Sequence, residues 1–215
     1  MKIDITVLTQ TPIHLASGKA NVNIDSEVVC DTLGLPYFPG KRLRGLLYES
    51  AIELVEMCEL SGAHFIQRQD VEALFNRGKE DQPILVTPDL RLENYKDLAD
   101  DLRALQAVYG EIFSSQAVLE AYTSIRQQTK LDEETGLAAT GSLRTFRLIN
   151  DGLTFSGSLD LVDTDKNDVY EAILCLALQN LKAAGGHRNR GFGQLVCSLA
   201  DTKKQEAILH RVMGV

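Results

Sequence analysis

The sequence predicts an α+β fold in which two helices pack on one side of an antiparallel sheet. Several stretches alternate apolar and polar residues, which is the pattern of a half-buried strand. Two longer stretches repeat their apolar residues with the period of a helix. The composition, 44% apolar and 24% charged residues, is that of a soluble globular protein, and 215 residues are enough for one well-buried core.

In the first half of the chain the pattern predicts two strands and one helix. The first strand lies within Met1–Pro12, where every second residue from Ile3 to Val7 is apolar. A polar loop follows, and Ile24–Cys30 has the composition of a second strand. After a proline-rich turn, Gly40–Met57 carries apolar residues at helical spacing with acidic residues on its outer face. This segment is predicted to be a helix.

The second half is predicted to contain a long hairpin, a further strand, a helix and a closing strand. These elements cover, in order, Leu119–Thr129 with Leu143–Ile149, then Leu153–Val162, Asn167–Ala184 and Gln194–Leu199. The tight-turn signal Asn150-Asp151-Gly152 predicts that the hairpin continues into a meander. Asn167 or Asp168 is the expected N-cap of the helix, and Gly185 is its expected stop.

The predicted order of strand, helix, two strands, helix and strand is that of a ferredoxin-like (RRM-like) split βαβ fold. We expect one domain over residues 1–215, with no internal repeat. Residues 61–115 differ in composition, hold one predicted helix at Asp97–Leu105, and are interpreted as an insertion. The hairpin is expected at about residues 119–162.

Charge and cysteine usage exclude several classes of protein. The net charge of −8 argues against a free-standing, non-specific nucleic-acid binder, because phosphate neutralisation supplies most of that affinity. The four cysteines are widely separated without a C-x-x-C pair, so we expect reduced core thiols. No apolar run approaches the roughly 20 residues of a membrane span, and no secretion signal is recognisable, so a cytoplasmic location is expected.

The first candidate binding segment is a glycine loop at residues 185–193, Gly-Gly-His-Arg-Asn-Arg-Gly-Phe-Gly. Four glycines in nine residues let backbone amides approach a phosphate, and the two arginines can make charge-assisted contacts with it. A helix C-cap followed by a bulged strand start is the alternative. The predicted binding residues are Gly185, Gly186, His187, Arg188, Arg190, Gly191 and Gly193.

The second candidate segment places Lys41, Arg42 and Arg44 in the first turn of the predicted helix. Cations near a helix N-terminus oppose the helix dipole, so an anion bound there would reconcile the two. A solvated basic face is the alternative interpretation. Lys19, in the polar loop after the first strand, is a further candidate for phosphate contact.

These two segments resemble the two signatures of the repeat-associated mysterious protein (RAMP) superfamily. The first is Asp31–Gly45, which reads DTLGLPYFPGKRLRG, and the second is the glycine loop. The order of elements is most similar to backbone subunits of type III CRISPR effector complexes. Ile125–Phe155 resembles the hairpin of that family that intrudes between guide and target. The likeness covers nearly the whole chain and is weakest over Ser61–Ser115.

The resemblance implies several such subunits stacked along a guide RNA, with base pairing reading the sequence. The implied partners are guide RNA, target RNA, other CRISPR effector subunits and copies of the chain itself, with no membrane. In target-cleaving subunits of the family an aspartate on the loop after the first strand is required, and Asp25 lies at the matching place. It could hold Mg²⁺ or help activate a ribose 2′-hydroxyl for in-line attack.

Three other functions stay open at this stage. The chain could be a structural RNA-binding subunit of the same assembly without cleavage. It could be a guide-RNA-processing endoribonuclease that uses His187 or His14 as acid or base. A small-molecule enzyme that binds phosphate with the same glycine loop is the fourth interpretation.

Overall fold

The computed structural model describes residues 1–76, 84–132, 136–162 and 165–214. Within these ranges there are seven strands, six α-helices and a short 3₁₀ turn at Arg188–Arg190. The strands are β1 (Lys2–Thr9), β2 (Leu85–Val86), β3 (Arg91–Leu92), β4 (Thr123–Gln128), β5 (Arg144–Ile149), β6 (Thr154–Leu161) and β7 (Leu195–Leu199). The helices are α1 (Gly40–Ser61), α2 (Arg68–Phe75), α3 (Tyr95–Tyr109), α4 (Ser115–Ala121), α5 (Asn167–Asn180) and α6 (Thr202–Met213).

The described strands form two antiparallel sheets. The main sheet has five strands in the order β2-β6-β1-β7, with β3 also paired to β6. Ile5 is opposite Gly157 of β6 on one side and Leu199 of β7 on the other. Among the described strands, β4 and β5 pair with each other and with no other strand, from Thr123 opposite Ile149 to Gln128 opposite Arg144. The predicted α+β class with antiparallel sheets is therefore confirmed.

The hydrophobic core lies against one face of β1. The alternation that predicted this strand is seen directly, since Ile3, Ile5 and Val7 are buried. Helices α1 and α5 pack against each other, and Leu47 of α1 is fully buried. Each such side chain contributes about 1.5–3 kcal/mol through burial. The core fixes β1, α1 and α5, and the candidate site lies at their ends: His14 and Asp25 follow β1, Lys41 and Arg42 begin α1, and the glycine loop follows α5.

The segment Ile24–Cys30 does not form the predicted strand. It makes isolated bridges instead, with Ser26 opposite Phe146, Val28 opposite Ala16, and Cys30 opposite Pro36. Each bridge joins a different neighbour, so no continuous ladder can form. The segment is an extended connection that links the start of the chain to the hairpin.

The predicted meander is also wrong, because β5 and β6 belong to different sheets. The turn after β5 brings the chain alongside the end of β1. Gly152 donates its amide hydrogen to the Thr9 carbonyl, and Thr9 donates to the Leu153 carbonyl. The hairpin of β4 and β5 therefore forms a separate sheet beside the main one.

Helix α5 ends four residues earlier than predicted, at Asn180 rather than Ala184. The residues that follow are extended and pair with the chain before β7. Leu195 donates to the Lys182 carbonyl, and Ala184 donates to the Gly193 carbonyl. Strand-like pairing replaces the last helical turn, so Gly185 is not the helix stop. The N-cap position is Lys166, one residue before the expected Asn167.

The segment interpreted as an insertion contributes to the main sheet. Its two short strands, β2 and β3, both pair with β6, and its helix α3 is longer than the predicted Asp97–Leu105. The C-terminal helix α6 has no counterpart in the prediction. The Asp201 side chain caps it by accepting from the Lys204 amide at 3.0 Å. An ion pair between Lys204 and Glu171 joins α6 to α5.

Candidate nucleic-acid interface

Three of the predicted basic residues line one groove of about 340 Å³. Lys41 and Arg42 reach it from the start of α1, and Arg188 reaches it from the glycine loop. Gly185, Gly186 and His14 line the same groove. The two sequence segments are therefore adjacent in the fold, although more than 140 residues separate them along the chain. Their cations can contact a common anionic ligand.

The start of α1 already has an anion of its own. The Gly40 amide donates to the Asp89 carboxylate at 2.8 Å, which offsets the helix dipole. A Cβ at Gly40 would lie 1.9 Å from the Thr87 carbonyl oxygen, so this glycine permits close approach of residues 87–89. The Gly40 amide is therefore not free for an RNA phosphate. Lys41 and Arg42 present exposed side chains at this end of the helix.

Arg44 does not join the other basic residues. Its guanidinium donates to the carbonyls of Phe75 and Leu85, so it ties the end of α2 and strand β2 to α1. Successive helical residues are about 100° apart, so a residue two positions after Arg42 points to a different side. Arg42 itself donates to the Ala16 carbonyl beside the groove.

The glycine loop uses its glycines mainly for packing. Gly186 donates its amide to the His14 carbonyl at 3.0 Å, and Gly193 donates to the Pro12 carbonyl at 2.9 Å. A Cβ at Gly185 would lie 2.7 Å from the His14 carbonyl oxygen. Of the four glycines, only Gly191 has open space where a Cβ would be added. The amides of Gly186 and Gly193 are thus already hydrogen-bonded within the protein.

The two glycines at the end of the loop give a matched pair of substitutions. Gly193 and Gly191 have nearly the same φ, 77° and 80°, but a Cβ at Gly193 would lie 2.0 Å from the Ala184 carbonyl oxygen. Gly191→Ala is expected to lower the unfolding free energy by about 1 kcal/mol, the cost of a left-handed conformation. Gly193→Ala adds a backbone clash and is expected to cost about 3 kcal/mol or more. Urea denaturation measures both, and equal losses would contradict the packing role of Gly193.

A second groove, of about 760 Å³, lies between the hairpin and the glycine loop. It is lined by Asp25, His187 and Arg190, together with Lys130 and Arg144 of the hairpin region. The Asp25 side chain is exposed, but hydrogen bonds hold it in place. Its carboxylate accepts from the Thr145 amide at 2.7 Å, and its own amide donates to the Thr145 carbonyl at 2.8 Å. The structure thus brings the predicted aspartate close to cations that could hold a phosphate.

His14 connects the two grooves. It lines the first, and its Nε2 lies 3.1 Å from the hydroxyl of Ser26, which lines the second. Its Nδ1 lies 2.9 Å from the Arg147 carbonyl, which can only accept, so Nδ1 carries the proton and Nε2 accepts from Ser26. Burial lowers the pKa of His14, the Arg147 hydrogen bond opposes this, and the charges of His187 and Arg42 lower it further.

This lowered pKa makes stability pH-dependent. The unfolded chain binds a proton at His14 more readily than the folded chain, so the contribution is complete above about pH 6.5 and declines as pH falls below it. His14→Gln is expected to flatten this slope in unfolding free energies measured between about pH 8 and pH 5. An unchanged slope would show that His14 is protonated equally in both states.

The profile of the RAMP superfamily matches residues 6–196 of this chain. The chain belongs to the RAMP superfamily. The match includes Asp25, the start of α1 and the whole glycine loop, and it ends before α6. The predicted family is therefore confirmed over all of the candidate site.

Solved structures share the fold of this RAMP chain at low sequence identity. A chain of the type III-B Cmr-beta complex, determined by cryo-electron microscopy with cognate target RNA, superposes with a TM-score of 0.70 and 11% identity. The superposition covers 97% of this chain and 98% of that one. A chain of the apo Cmr-beta structure gives a TM-score of 0.69 with 12% identity, over 94% and 98% of the two chains. Among curated protein sequences, none is significantly similar.

The described residues around Asp25 do not form a metal site of their own. The charged side chains that share its groove are cations, including Lys130, Arg144 and Arg190. Across the described part of the RAMP chain, no three His, Cys, Asp or Glu side chains come together as metal ligands. Mg²⁺ is bound through carboxylates and other oxygen ligands, and Asp25 is the one carboxylate among the described residues that line this groove.

A buried ion pair that sequence reasoning missed holds Asp25 and the hairpin of this RAMP chain together. Arg147 is 2% exposed and donates to the Glu27 carboxylate at 2.8 Å and to the Thr123 hydroxyl at 3.0 Å. Its carbonyl also accepts from His14. The sequence sign of this ion pair is an arginine among the otherwise apolar residues 146–149, but its acidic partner is 120 residues away. The pair positions the loop that carries Asp25.

Lys19 is not brought into either groove of the RAMP chain. It is exposed and lines a different groove with Asn21 and Tyr37. No helix in the described residues is long and apolar enough to cross a membrane.

Proposed function

We propose that this RAMP chain is an RNA-binding backbone subunit of a type III CRISPR effector complex and that it holds guide RNA. The observation that carries the proposal is the convergence of Lys41, Arg42 and Arg188 on one groove. The second groove, with Arg190, adjoins it through His14. Cations in two adjoining grooves suit a run of phosphates better than a single phosphate group.

The comparison structures favour the same assembly. The matched chains come from a Cmr-beta complex, in one case with target RNA, and they superpose over almost their full length. In this proposal the chain is one RAMP-like domain with a ferredoxin-like core formed by β1, α1, β2 with β3, β6, α5 and β7. The order of the main sheet agrees with that assignment. Residues 61–115 and the hairpin then elaborate the core.

We further propose that Asp25 takes part in cleavage of the target RNA. A carboxylate held beside cations can accept the proton of a ribose 2′-hydroxyl. The 2′-oxygen then bonds to the adjacent phosphorus, and the bond to the 5′-oxygen breaks, leaving a 2′,3′-cyclic phosphate. The leaving 5′-oxygen takes a proton from solvent. Arg144 and Arg190 line the same groove and are suited to balance charge on the phosphate.

A structural subunit without cleavage is the second candidate. It is favoured by the lone carboxylate in the second groove, since Asp25 has no acidic neighbour among the described residues lining it. The guide-processing alternative through His14 is disfavoured, because both ring nitrogens are engaged in hydrogen bonds. His187 is exposed and remains the candidate for that alternative.

The net charge of the chain is consistent with the proposed partners. The chain has a net charge of −8, so a component that binds RNA only through two basic grooves suits an assembly in which other subunits share the RNA. Copies of the chain, other effector subunits, guide RNA and target RNA are the expected partners, in the cytoplasm.

Binding of single-stranded RNA to the purified wild-type chain tests the proposal. We expect an affinity that falls with salt by a log–log slope of about −0.7 for each phosphate contacted, and no competition by ATP at equal phosphate concentration. Binding of ATP without binding of RNA would instead support a small-molecule phosphate enzyme.

A further inference from the structure

The groove between the hairpin and the glycine loop has a built-in aromatic platform. The His187 ring stacks on Phe146 with centroids 4.8 Å apart and an angle of 12° between the planes. Phe146 is 3% exposed and is held from other sides by His14 and Phe192, at 5.5 and 6.2 Å. His187 itself is exposed and lines the groove, and its ring also contacts the His14 ring, with centroids 5.8 Å apart and an angle of 66° between the planes. This exposure leaves the ring face away from Phe146 as the surface available to a ligand in the groove.

The backbone at His187 is in a left-handed conformation, with φ at 61°. A glycine would adopt this conformation without strain, whereas a residue with a Cβ does so at a cost of about 1 kcal/mol. The imidazole is therefore present despite a conformational cost. The stack on Phe146 and the contact with His14 support the ring in this orientation.

The rest of the groove offers groups that suit a nucleotide. Gln128 accepts from the Arg190 guanidinium at 2.8 Å, which fixes its side-chain amide at the wall. Lys130 and Arg144 add positive charge, and Ser26 and Ser142 add hydroxyl groups. The volume of about 760 Å³ lies within the range of ligand pockets, about 300–1,000 Å³.

We propose that this groove binds one nucleobase of the RNA, stacked on the open face of His187, with the flanking phosphates on Lys130, Arg144 and Arg190. A flat π-surface beside fixed amide and hydroxyl groups and cations is the combination that single-stranded nucleic-acid sites use. The first groove is lined by cations and by Glu49 but by no exposed aromatic ring, so in this proposal it binds the backbone alone. This inference rests on the proposed function and adds to it a base-binding position in the groove that Asp25 lines.

Fluorescence of a single 2-aminopurine, placed in turn along a short oligouridylate, tests the inference on the full-length chain. For each alignment of the RNA along the wild-type protein, we expect quenching of 2-aminopurine at one position, because the base at that position stacks on His187. His187→Gly removes the ring without backbone strain and is expected to abolish the quenching and weaken binding about tenfold. His187→Phe keeps a ring at the same place and is expected to retain both.

The outcomes separate the two proposals. If His187→Gly quenches and binds like the wild type, while removing Lys41, Arg42 and Arg188 still weakens binding, the base site is wrong and the RNA-binding function stands. If neither change affects RNA binding, the proposed function fails as well. Binding weakened equally by the glycine and phenylalanine variants would show that the imidazole acts by hydrogen bonding, which would overturn the stacking site.

Discussion

Replacing Lys41, Arg42 and Arg188 together by glutamine is expected to weaken the binding of single-stranded RNA by at least about 100-fold. These three residues line one groove, and each can make a charge-assisted contact worth about 1 kcal/mol or more. The log–log salt slope should also become shallower by about 2, since each lost phosphate contact removes about 0.7. Titrations of labelled oligouridylate at several salt concentrations measure both quantities.

The matched control removes the same charge elsewhere. Lys2, Lys96 and Lys203 are exposed and lie outside both grooves. Their combined replacement by glutamine changes the net charge equally and is expected to leave the affinity within about threefold, because screening weakens distant charges. Equal losses in the two triple variants would mean that overall charge, not the groove, determines binding.

Asp25→Asn is expected to reduce cleavage of guide-matched target RNA by about 100-fold or more, the range of a lost general base. The asparagine side-chain oxygen can still accept from the Thr145 amide, so the loop geometry should persist. RNA affinity should be unchanged or slightly higher, because a negative charge leaves a groove that holds phosphates. The assay is cleavage by the effector complex assembled with the variant chain.

Asp151→Asn provides the control, since Asp151 is an exposed carboxylate in the turn after β5. The complex that contains the Asp151→Asn chain should cleave target RNA as the wild-type complex does. A target with a 2′-deoxyribose at the cleaved position should resist the wild-type complex, because the proposed nucleophile is absent. Undiminished cutting at every position by the Asp25 variant would leave the chain as a structural RNA-binding subunit.

Local patterns predicted the long elements well. The alternation from Ile3 to Val7 corresponds to β1, and the apolar spacing after Gly40 corresponds to α1, because burial of one face determines both. Strands β2 and β3 could not be predicted in the same way. Each has two residues, too few to show a period, and each forms only because β6 offers an edge.

The candidate site was predicted as segments but not as a geometry. Lys41, Arg42 and Arg44 are near one another in sequence, yet helical rotation separates Arg44 from the groove, and this much could have been inferred from the period of α1. The pairing of Arg147 with Glu27 depends on contacts between parts of the chain 120 residues apart, which a single sequence does not specify. The sequence pattern assigns the glycines of the loop to phosphate contact, whereas packing against His14 and Ala184 explains Gly185 and Gly193.

Photocrosslinking with 4-thiouridine-substituted RNA tests most directly whether the two segments form one interface. After digestion, mass spectrometry of the bound wild-type chain should find adducts both in the peptide containing Lys41 and Arg42 and in residues 185–193. The same RNA should leave α3 and α6 unmodified. Adducts confined to α3 or α6, with none at the start of α1 or in the glycine loop, would contradict the proposed RNA interface.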